Sequence, residues 1–170
     1  MASSETGLGV FNELSAEVAL AELTTCLHGS QWAQTVLQGR PYPSVDALAE
    51  RAMTAARQLS EQALADALAA HPRIGERPTG SGAAALFSRT EQAGVTGDDG
   101  TAAALRQANI DYEERFGRVF LIRAAGRGAT DILAEAGRRL ANDDAAEGAE
   151  VREQLGEIAV LRLRQVLGEP

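Results

Sequence analysis

The sequence is poor in the residues on which disulfide-linked proteins, zinc proteins and membrane proteins depend. It has one cysteine and two histidines among 170 residues, so an internal disulfide is impossible and no cluster of metal ligands is indicated. A lone cysteine suits a reducing compartment, and we expect a cytoplasmic protein that binds no metal. No apolar run approaches the roughly 20 residues that cross a bilayer, so we expect no membrane association.

Other absences argue against several cellular locations and several classes of ligand. Residues 1–9 carry neither a positive charge nor an apolar block, so we expect no secretory signal. The last residues are not a peroxisomal signal of the Ser-Lys-Leu type, and neither a Walker motif nor a dinucleotide-binding fingerprint occurs. The formal net charge of −8 argues against a nucleic-acid partner. It would also repel an anionic ligand, so specific arginines would have to overcome that repulsion locally.

Helical periodicity dominates the chain, and the alternation typical of strands is scarce. Serines in capping positions predict four helix starts, at Ser15, Ser30, Ser44 and Ser60. The last of these helices is predicted to stop at His71-Pro72, because a proline disfavours helical backbone at the residue before it. Residues 73–82, rich in Gly and Pro, are predicted to form a loop.

The second half of the chain shows three more helical patterns. A long helix is predicted after the glycines at 97 and 100, and it closes at Gly117. Val119–Ile122 is an apolar run that periodicity leaves open as either an extended segment or a turn of buried helix. Two final helices are predicted over about 130–140 and 145–167. With 45% hydrophobic residues, we expect an all-α fold, a single compact, bundle-like domain of about eight helices over residues 1–170.

His71 is the first candidate for chemistry. It stands at a helix stop within the stretch Ala70-His71-Pro72-Arg73-Ile74-Gly75-Glu76. A backbone fixed just after the imidazole preorganises an acid or a base, and imidazole is the usual proton carrier near neutral pH. The alternative is a structural histidine whose charge complements the negative end of the helix dipole.

A second candidate group follows at Ser88, Glu91 and Gln92. Residues three and four apart share one face of a helix, so these three side chains could point at one ligand. The pattern Ser-x-x-Glu also fits a capping box, in which Ser88 begins a helix and Glu91 reaches back to its amide. The two interpretations are compatible, because a capping serine would hold the same face in place.

Arg162 is the third candidate. It lies on the apolar stripe of the last helix, which otherwise consists of Val151, Leu155, Ile158 and Val166. A guanidinium facing a core needs an acceptor, which could be a buried carboxylate, solvent at the edge of the core, or a ligand. Asn109, on a stripe of its own helix, is expected to be a buried structural amide, whereas Arg40 could be structural or ligand-facing.

Taken together, these segments resemble the family of 2-oxo-4-hydroxy-4-carboxy-5-ureidoimidazoline (OHCU) decarboxylases, which act in urate breakdown. The resemblance covers nearly the whole chain in order. It rests on Phe11-Asn12-x-Leu14-Ser15, Gly29-Ser30-x-Trp32-Ala33, Arg40-Pro41-Tyr42, Ala70 to Glu76, Ser88-x-x-Glu91-Gln92-Ala93-Gly94, Asn109-x-x-Tyr112-x-x-x-Phe116-Gly117-x-x-Phe120 and Ile158-Ala159-x-Leu161-Arg162-Leu163.

The resemblance implies an all-helical homodimer that decarboxylates OHCU to (S)-allantoin without a cofactor. His71 matches the family's catalytic histidine, a proton donor, and Glu91 is assigned to orient that proton or to hold the substrate hydroxyl. Arg162 matches a substrate-binding arginine, with Arg164 as the alternative. The remaining implied substrate-binding residues are Pro72, Ser88, Arg89, Thr90, Gln92, Phe120, Leu121, Ile122, Arg123 and Ala124.

The chain departs from the family pattern in a few places. Arg118 and Arg123 stand where apolar or small residues are expected, and an aromatic residue expected near 56–59 is missing. These departures concern the shape of the pocket. Two alternatives to the decarboxylase remain: a non-catalytic helical interaction module, in which His71 and Arg162 are structural, and a cofactor-free lyase or hydrolase acting on another ureido compound.

Overall fold

The computed structural model describes residues 2–76, 81–95 and 97–169, with side chains for all of these except 2–6 and 83. Within the described residues there are helices and no strand, which confirms the predicted all-α class. None of these helices is both long and apolar enough to cross a membrane. The described part of the chain forms nine helices: α1 (Ala2–Glu13), α2 (Ala16–Cys26), α3 (Ser30–Leu37), α4 (Val45–Arg57), α5 (Glu61–Ala69), α6 (Ala83–Glu91), α7 (Asp99–Phe116), α8 (Ala129–Arg139) and α9 (Asp144–Val166).

The chain divides into two compact units. The first comprises Met1–Ala67 and Leu155–Pro170, and the second comprises Leu68–Gln154. The boundaries fall inside α5 and α9, so each of these helices contributes residues to both units. That residues 1–170 act as one domain stays a prediction.

In the first unit, the predicted serine caps begin three of the four helices. The hydroxyl of Ser15 accepts a hydrogen bond from the Val18 amide, and Ser44 accepts one from Ala47. Ser60 does the same at the start of α5. The predicted cap at Ser30 is wrong: Gly29 is the N-cap of α3, at a φ of 110° that favours glycine, and Ser30 is the first helical residue.

Helix α3 packs against α2 and α4 in the first unit. Trp32 is buried between helices, and its indole N–H donates to the Ala52 carbonyl at 2.9 Å. Arg40 donates through Nη1 to the carbonyls of Phe11 and Leu14, at 2.8 and 2.9 Å. Of the two roles open to Arg40, these bonds support the structural one.

In the second unit, α7 packs against α8. The predicted end of α7 is confirmed, since Gly117 caps it in the left-handed conformation with a φ of 67°. The apolar run at 119–122 is neither helix nor strand, and Phe120, Leu121 and Ile122 are all buried. The described residues of the predicted loop at 73–82 are non-helical; residues 77–80 lie outside the described part of the chain.

The core of the second unit collects residues from distant parts of the sequence. Side chains from the loop after α5, from α7, from the segment before α8 and from α8 itself form one cluster. Its members are Ile74, Leu105, Tyr112, Phe120, Ile122, Ala124, Ala129, Ile132 and Ala136.

Candidate active site

His71 lies immediately after α5, where the helix has ended. Its backbone amide donates to the Leu68 carbonyl at 3.0 Å, which closes the last turn. The side chain is half-buried, and its Nε2 atom is inaccessible to solvent. Pro72 is also half-buried, so the imidazole begins a stretch whose backbone direction is fixed by proline.

The rest of this loop is held by three side chains, each bound to a different residue. The Gln92 Oε1 atom accepts from the Gly75 amide at 3.1 Å, and Asn109 Nδ2 donates to the Ile74 carbonyl at 3.0 Å. Asn109 is buried, so the expectation of a structural amide is confirmed. The loop therefore has little freedom of its own, as an acid or base that must keep its geometry requires.

The third contact to the loop is an ion pair. Arg73 forms two parallel hydrogen bonds to Glu113 of α7, with Nε to Oε1 at 2.5 Å and Nη2 to Oε2 at 3.0 Å. The bonded guanidinium lowers the pKa of the Glu113 carboxyl, and the carboxylate raises the pKa of Arg73. Both side chains are partly exposed, so the pair fixes direction more than it adds stability.

Helix α6 carries Ser88 and Glu91, and the structure contradicts the capping-box interpretation. The helix begins at Ala83 with Gly82 as its N-cap, which places Ser88 inside the helix and Glu91 at its last residue. Both side chains are buried, at 7% and 8% exposure. Their spacing places them on one face, so a buried carboxylate and a buried hydroxyl face the interior of the second unit.

The two residues between them point away. Arg89 and Thr90 are exposed, and the Thr90 hydroxyl donates to the Leu86 carbonyl of its own helix at 3.0 Å. Gln92 follows at the C-cap and is half-buried. Of the predicted residues on this segment, Ser88 and Glu91 lie inside and Gln92 touches the His71 loop.

The segment Phe120–Ala124 is irregular in backbone and buried in side chain, apart from the half-buried Arg123. Its backbone is bound by two side chains: Arg139 Nη1 donates to the Leu121 carbonyl at 2.6 Å, and Gln154 Oε1 accepts from the Arg123 amide at 2.8 Å. Phe120, Ile122 and Ala124 share the core cluster with Ile74 of the His71 loop.

Sequence reasoning missed the buried pair of Arg139 and Glu147, which are both 0% exposed. Arg139 Nε and Nη2 donate to Glu147 Oε1 at 2.9 and 2.6 Å, and the Tyr112 hydroxyl donates to the same oxygen. Asn142 donates to the other oxygen at 2.9 Å. Burial, followed by the bond to Glu147, raises the pKa of Tyr112, so this hydroxyl remains a donor.

Helical spacing was the signal that could have found this pair. Arg139 continues the buried stripe of Ile132 and Ala136 on α8, and Glu147 stands four residues before the buried Val151 on α9. Helical spacing indicates the burial of Arg139 and Glu147 in the same way as it indicates that of Arg162.

Arg162 lies in the first unit and is buried, as the sequence predicts. Its Nη1 atom donates to the Cys26 carbonyl at 3.2 Å, at the last residue of α2, where a helix dipole favours a positive charge. Arg164 instead bonds two carboxylates, Asp46 at 2.8 Å and Glu169 at 2.5 Å. Acidic side chains of the protein therefore bind the Arg164 guanidinium on two sides.

The family model of the OHCU decarboxylases matches residues 12–164. The chain belongs to this family. An OHCU decarboxylase from Amia calva is 37% identical over 103 residues, which are 59% of this chain and 59% of the relative. One from Haloferax volcanii is 29% identical over 140 residues, 80% of this chain and 81% of the relative. The match to the Amia calva protein thus spans about three fifths of that protein's length.

Two solved structures share the fold of this OHCU decarboxylase family member. A crystal structure of OHCU decarboxylase in the presence of (S)-allantoin aligns with a TM-score of 0.68 and 23% identity, covering 87% of this chain and 98% of that one. A crystal structure of (S)-allantoin synthase aligns with a TM-score of 0.71 and 16% identity, covering 94% of this chain and 53% of that one.

Within the second unit of this OHCU decarboxylase family member, some of the predicted site residues are buried or bound to one another, and others are exposed to solvent. The His71 loop is tied to Gln92, and the segment Phe120–Ala124 shares its core. Ser88 and Glu91 are buried on α6, whereas Arg89 and Thr90 face solvent. Among the described residues, no group of three His, Cys, Asp or Glu side chains is placed to hold a metal ion.

Proposed function

We propose that this chain catalyses the decarboxylation of OHCU to (S)-allantoin, a step of urate breakdown, without a cofactor. Membership of the OHCU decarboxylase family supports the reaction. The observation that carries the proposal is the bond between Gln92 and the His71 loop. It joins the family's most specific motif, which holds the His71 imidazole, to the Ser88–Gln92 segment, which holds the buried Glu91 carboxylate.

The substrate needs little chemical help, because it carries its own electron sink. When the bond between the ring and its carboxylate breaks, CO2 leaves and the electron pair moves through the neighbouring ring carbon onto the imine nitrogen, which takes up one proton from solvent. The adjacent hydroxyl then loses its proton and becomes a carbonyl, while one proton is added to the former imine carbon. The protein has to bind the ureido and carbonyl groups, manage the hydroxyl proton, and deliver a proton to one face only.

The proposed roles follow from the placement of each group. His71 moves the proton, since its imidazole is held on a rigid loop, and Glu91 orients that proton or holds the substrate hydroxyl. Ser88, Gln92, Pro72 and the backbone of Phe120–Ala124 bind the substrate. For Arg89 and Thr90, substrate binding is supported only by the family resemblance of the Ser88–Gln92 segment, because their side chains are exposed.

For Arg162 the proposal rests on the motif Ile158-Ala159-x-Leu161-Arg162-Leu163. A guanidinium stabilises the negative charge that spreads over the ring as CO2 leaves. Arg164 is the alternative candidate, and Asp46 and Glu169 bind its guanidinium. We further propose a cytoplasmic homodimer that binds no nucleic acid, supported by the family resemblance and the net charge of −8.

The test uses purified protein and OHCU generated immediately beforehand from urate by enzymes. Protonation in water has no facial preference, so the uncatalysed reaction gives both enantiomers of allantoin. An active enzyme gives the (S) enantiomer faster, which circular dichroism follows directly. We expect this result for wild type after exhaustive EDTA dialysis, and its loss in a folded His71→Asn variant by roughly 10²–10⁴-fold.

Three results would count against this proposal. No acceleration by wild type would leave the interaction module or another ureido substrate. Activity lost on dialysis and restored by one divalent ion would contradict a cofactor-free reaction. Near-normal turnover in folded His71→Asn would remove His71 from the mechanism.

A further inference from the structure

The pair of Arg139 and Glu147 is unusual because both charges are completely buried. Removing two ions from water carries a large desolvation cost, and an apolar pair of similar size is often as stable or more stable. Stability alone therefore does not account for an ion pair at this position. The contacts of the guanidinium show what else it does.

Arg139 divides its donors between two tasks. Nε and Nη2 bind Glu147, and this two-pronged contact fixes the plane of the guanidinium. The remaining nitrogen, Nη1, binds the Leu121 carbonyl, and the guanidinium lies 4.8 Å from the centre of the Phe120 ring. The pair thus holds both a side chain and a backbone oxygen of the segment Phe120–Ala124.

A second side chain binds the same segment two residues later. Gln154 of α9 accepts a hydrogen bond from the Arg123 amide through Oε1. Ile122 therefore lies between two residues whose backbone groups are held by side chains. Ile122 is 2% exposed, and among the described residues its own N–H and C=O have no hydrogen-bond partner. A buried peptide group costs free energy unless something binds it.

We propose that Arg139 and Gln154 are positioning residues, which fix the backbone around Ile122 so that its peptide groups are presented to the substrate. This inference rests on the proposed function, because it needs Phe120–Ala124 to contact the substrate. Glu147 and Tyr112 act through Arg139 by holding its guanidinium. None of these four side chains is assigned a chemical step.

The first test uses Gln154, which is half-buried and can be changed without leaving a buried charge. Gln154→Met removes the acceptor of the Arg123 amide, whereas Gln154→Glu keeps a carboxylate oxygen in its place. Gln165→Met makes the same substitution at an exposed position of α9 and is the matched control. We expect KM to rise at least tenfold in Gln154→Met, and to stay within about threefold of wild type in the other two.

The second test removes the ion pair as a whole. Arg139→Met alone leaves Glu147 buried and unpaired, and we expect it to unfold at a much lower temperature. Adding Glu147→Met should recover part of the melting temperature, because no isolated charge remains, while the Tyr112 hydroxyl and the Leu121 carbonyl lose their partners. If Arg139 positions the segment, the double variant folds but keeps a raised KM, since nothing donates to the Leu121 carbonyl.

Amide hydrogen exchange provides a readout that does not depend on activity. We expect faster exchange at Arg123 in Gln154→Met but not in Gln154→Glu. If wild type turns over OHCU, and both Gln154→Met and a folded double variant show the wild-type KM, the inference is wrong and the proposed function stands. If the double variant fails to fold, the Gln154 variants decide alone. If wild type does not turn over OHCU, the proposed function and this inference are both wrong.

Discussion

The side-chain oxygen of Gln92 accepts a hydrogen bond from the backbone amide of Gly75, at 3.1 Å. A backbone N–H can only donate, so this contact fixes the orientation of the Gln92 side-chain amide, with its oxygen toward Gly75. The Nε2 group of the same side chain carries two donors. A ligand read by Gln92 must therefore present an acceptor, such as a ring or ureido carbonyl.

Two variants of Gln92 separate the loop contact from ligand binding. Gln92→Glu keeps the acceptor for Gly75 and loses the donor, whereas Gln92→Met loses both. We expect Gln92→Glu to melt near the wild-type temperature while KM rises about tenfold, equivalent to ~1.4 kcal/mol. Gln92→Met should lose stability as well. An unchanged KM in Gln92→Glu would show that Gln92 serves the loop only.

Glu91 is expected to affect turnover more than stability. Because α6 begins eight residues earlier in the chain, at Ala83, Glu91 has no capping role at its N-terminus. Glu91→Gln keeps the size of the side chain and removes its charge. We expect turnover to fall by roughly 10²-fold or more and the melting temperature to change by about 2–4 °C for each 1 kcal/mol lost. Thermal melts and kinetics on one preparation measure both; a large thermal shift with nearly normal turnover would contradict the catalytic role.

Arg162 and Arg164 are distinguished by parallel changes to methionine. Arg162→Met removes a donor from the Cys26 carbonyl and should cost about 1 kcal/mol, with weak allantoin binding and slow turnover. Arg164→Met breaks partly exposed ion pairs and should cost at most about 1 kcal/mol with activity unchanged. Arg162→Lys should not restore activity, because an ammonium lacks the planar donor pair. Calorimetric titration with allantoin would assign the role to Arg164 if only Arg164→Met lost binding.

The ion pair of Arg73 and Glu113 should stay fully charged over the pH range in which activity is assayed. Its hydrogen bonds lower the folded-state pKa of Glu113, so the contribution of the pair is present above the ordinary carboxyl pKa of about 4.3. It is lost only as pH falls through the lowered value. We expect kcat/KM of Glu113→Gln to fall evenly from pH 5 to 8.5, with the same midpoint as wild type. A shifted midpoint would place Glu113 in the acid–base chemistry.

Local signals in the sequence predicted most helix ends correctly. Ser15, Ser44, Ser60 and Gly117 act within one turn of where they stand, so a pattern of a few residues is enough to place them. The same kind of pattern failed at Ser30, where the neighbouring glycine is the cap, and at Ser88, where Ser-x-x-Glu lies inside a helix. A short motif cannot show whether the helix has already begun several residues upstream.

The sequence predicted burial only for those candidate residues that lie on the apolar stripe of a helix. Arg162 and Asn109 were found because they interrupt apolar stripes, and both are buried. The contacts of Asn109 with Ile74, and of Gln92 with Gly75, join residues 35 and 17 positions apart. Such contacts depend on how the helices pack, which the sequence pattern does not determine.

The placement of Ile74 in the core cluster has a consequence for heat inactivation. An enzyme whose catalytic loop lies loosely on its surface loses activity at temperatures below those that unfold it, because the loop is released first. Here the residue three positions after His71 belongs to the same core cluster as Phe120 and Ile122, and its carbonyl is bound by a buried amide. Releasing this loop requires opening the hydrophobic core, so inactivation and unfolding should follow one curve as the temperature rises.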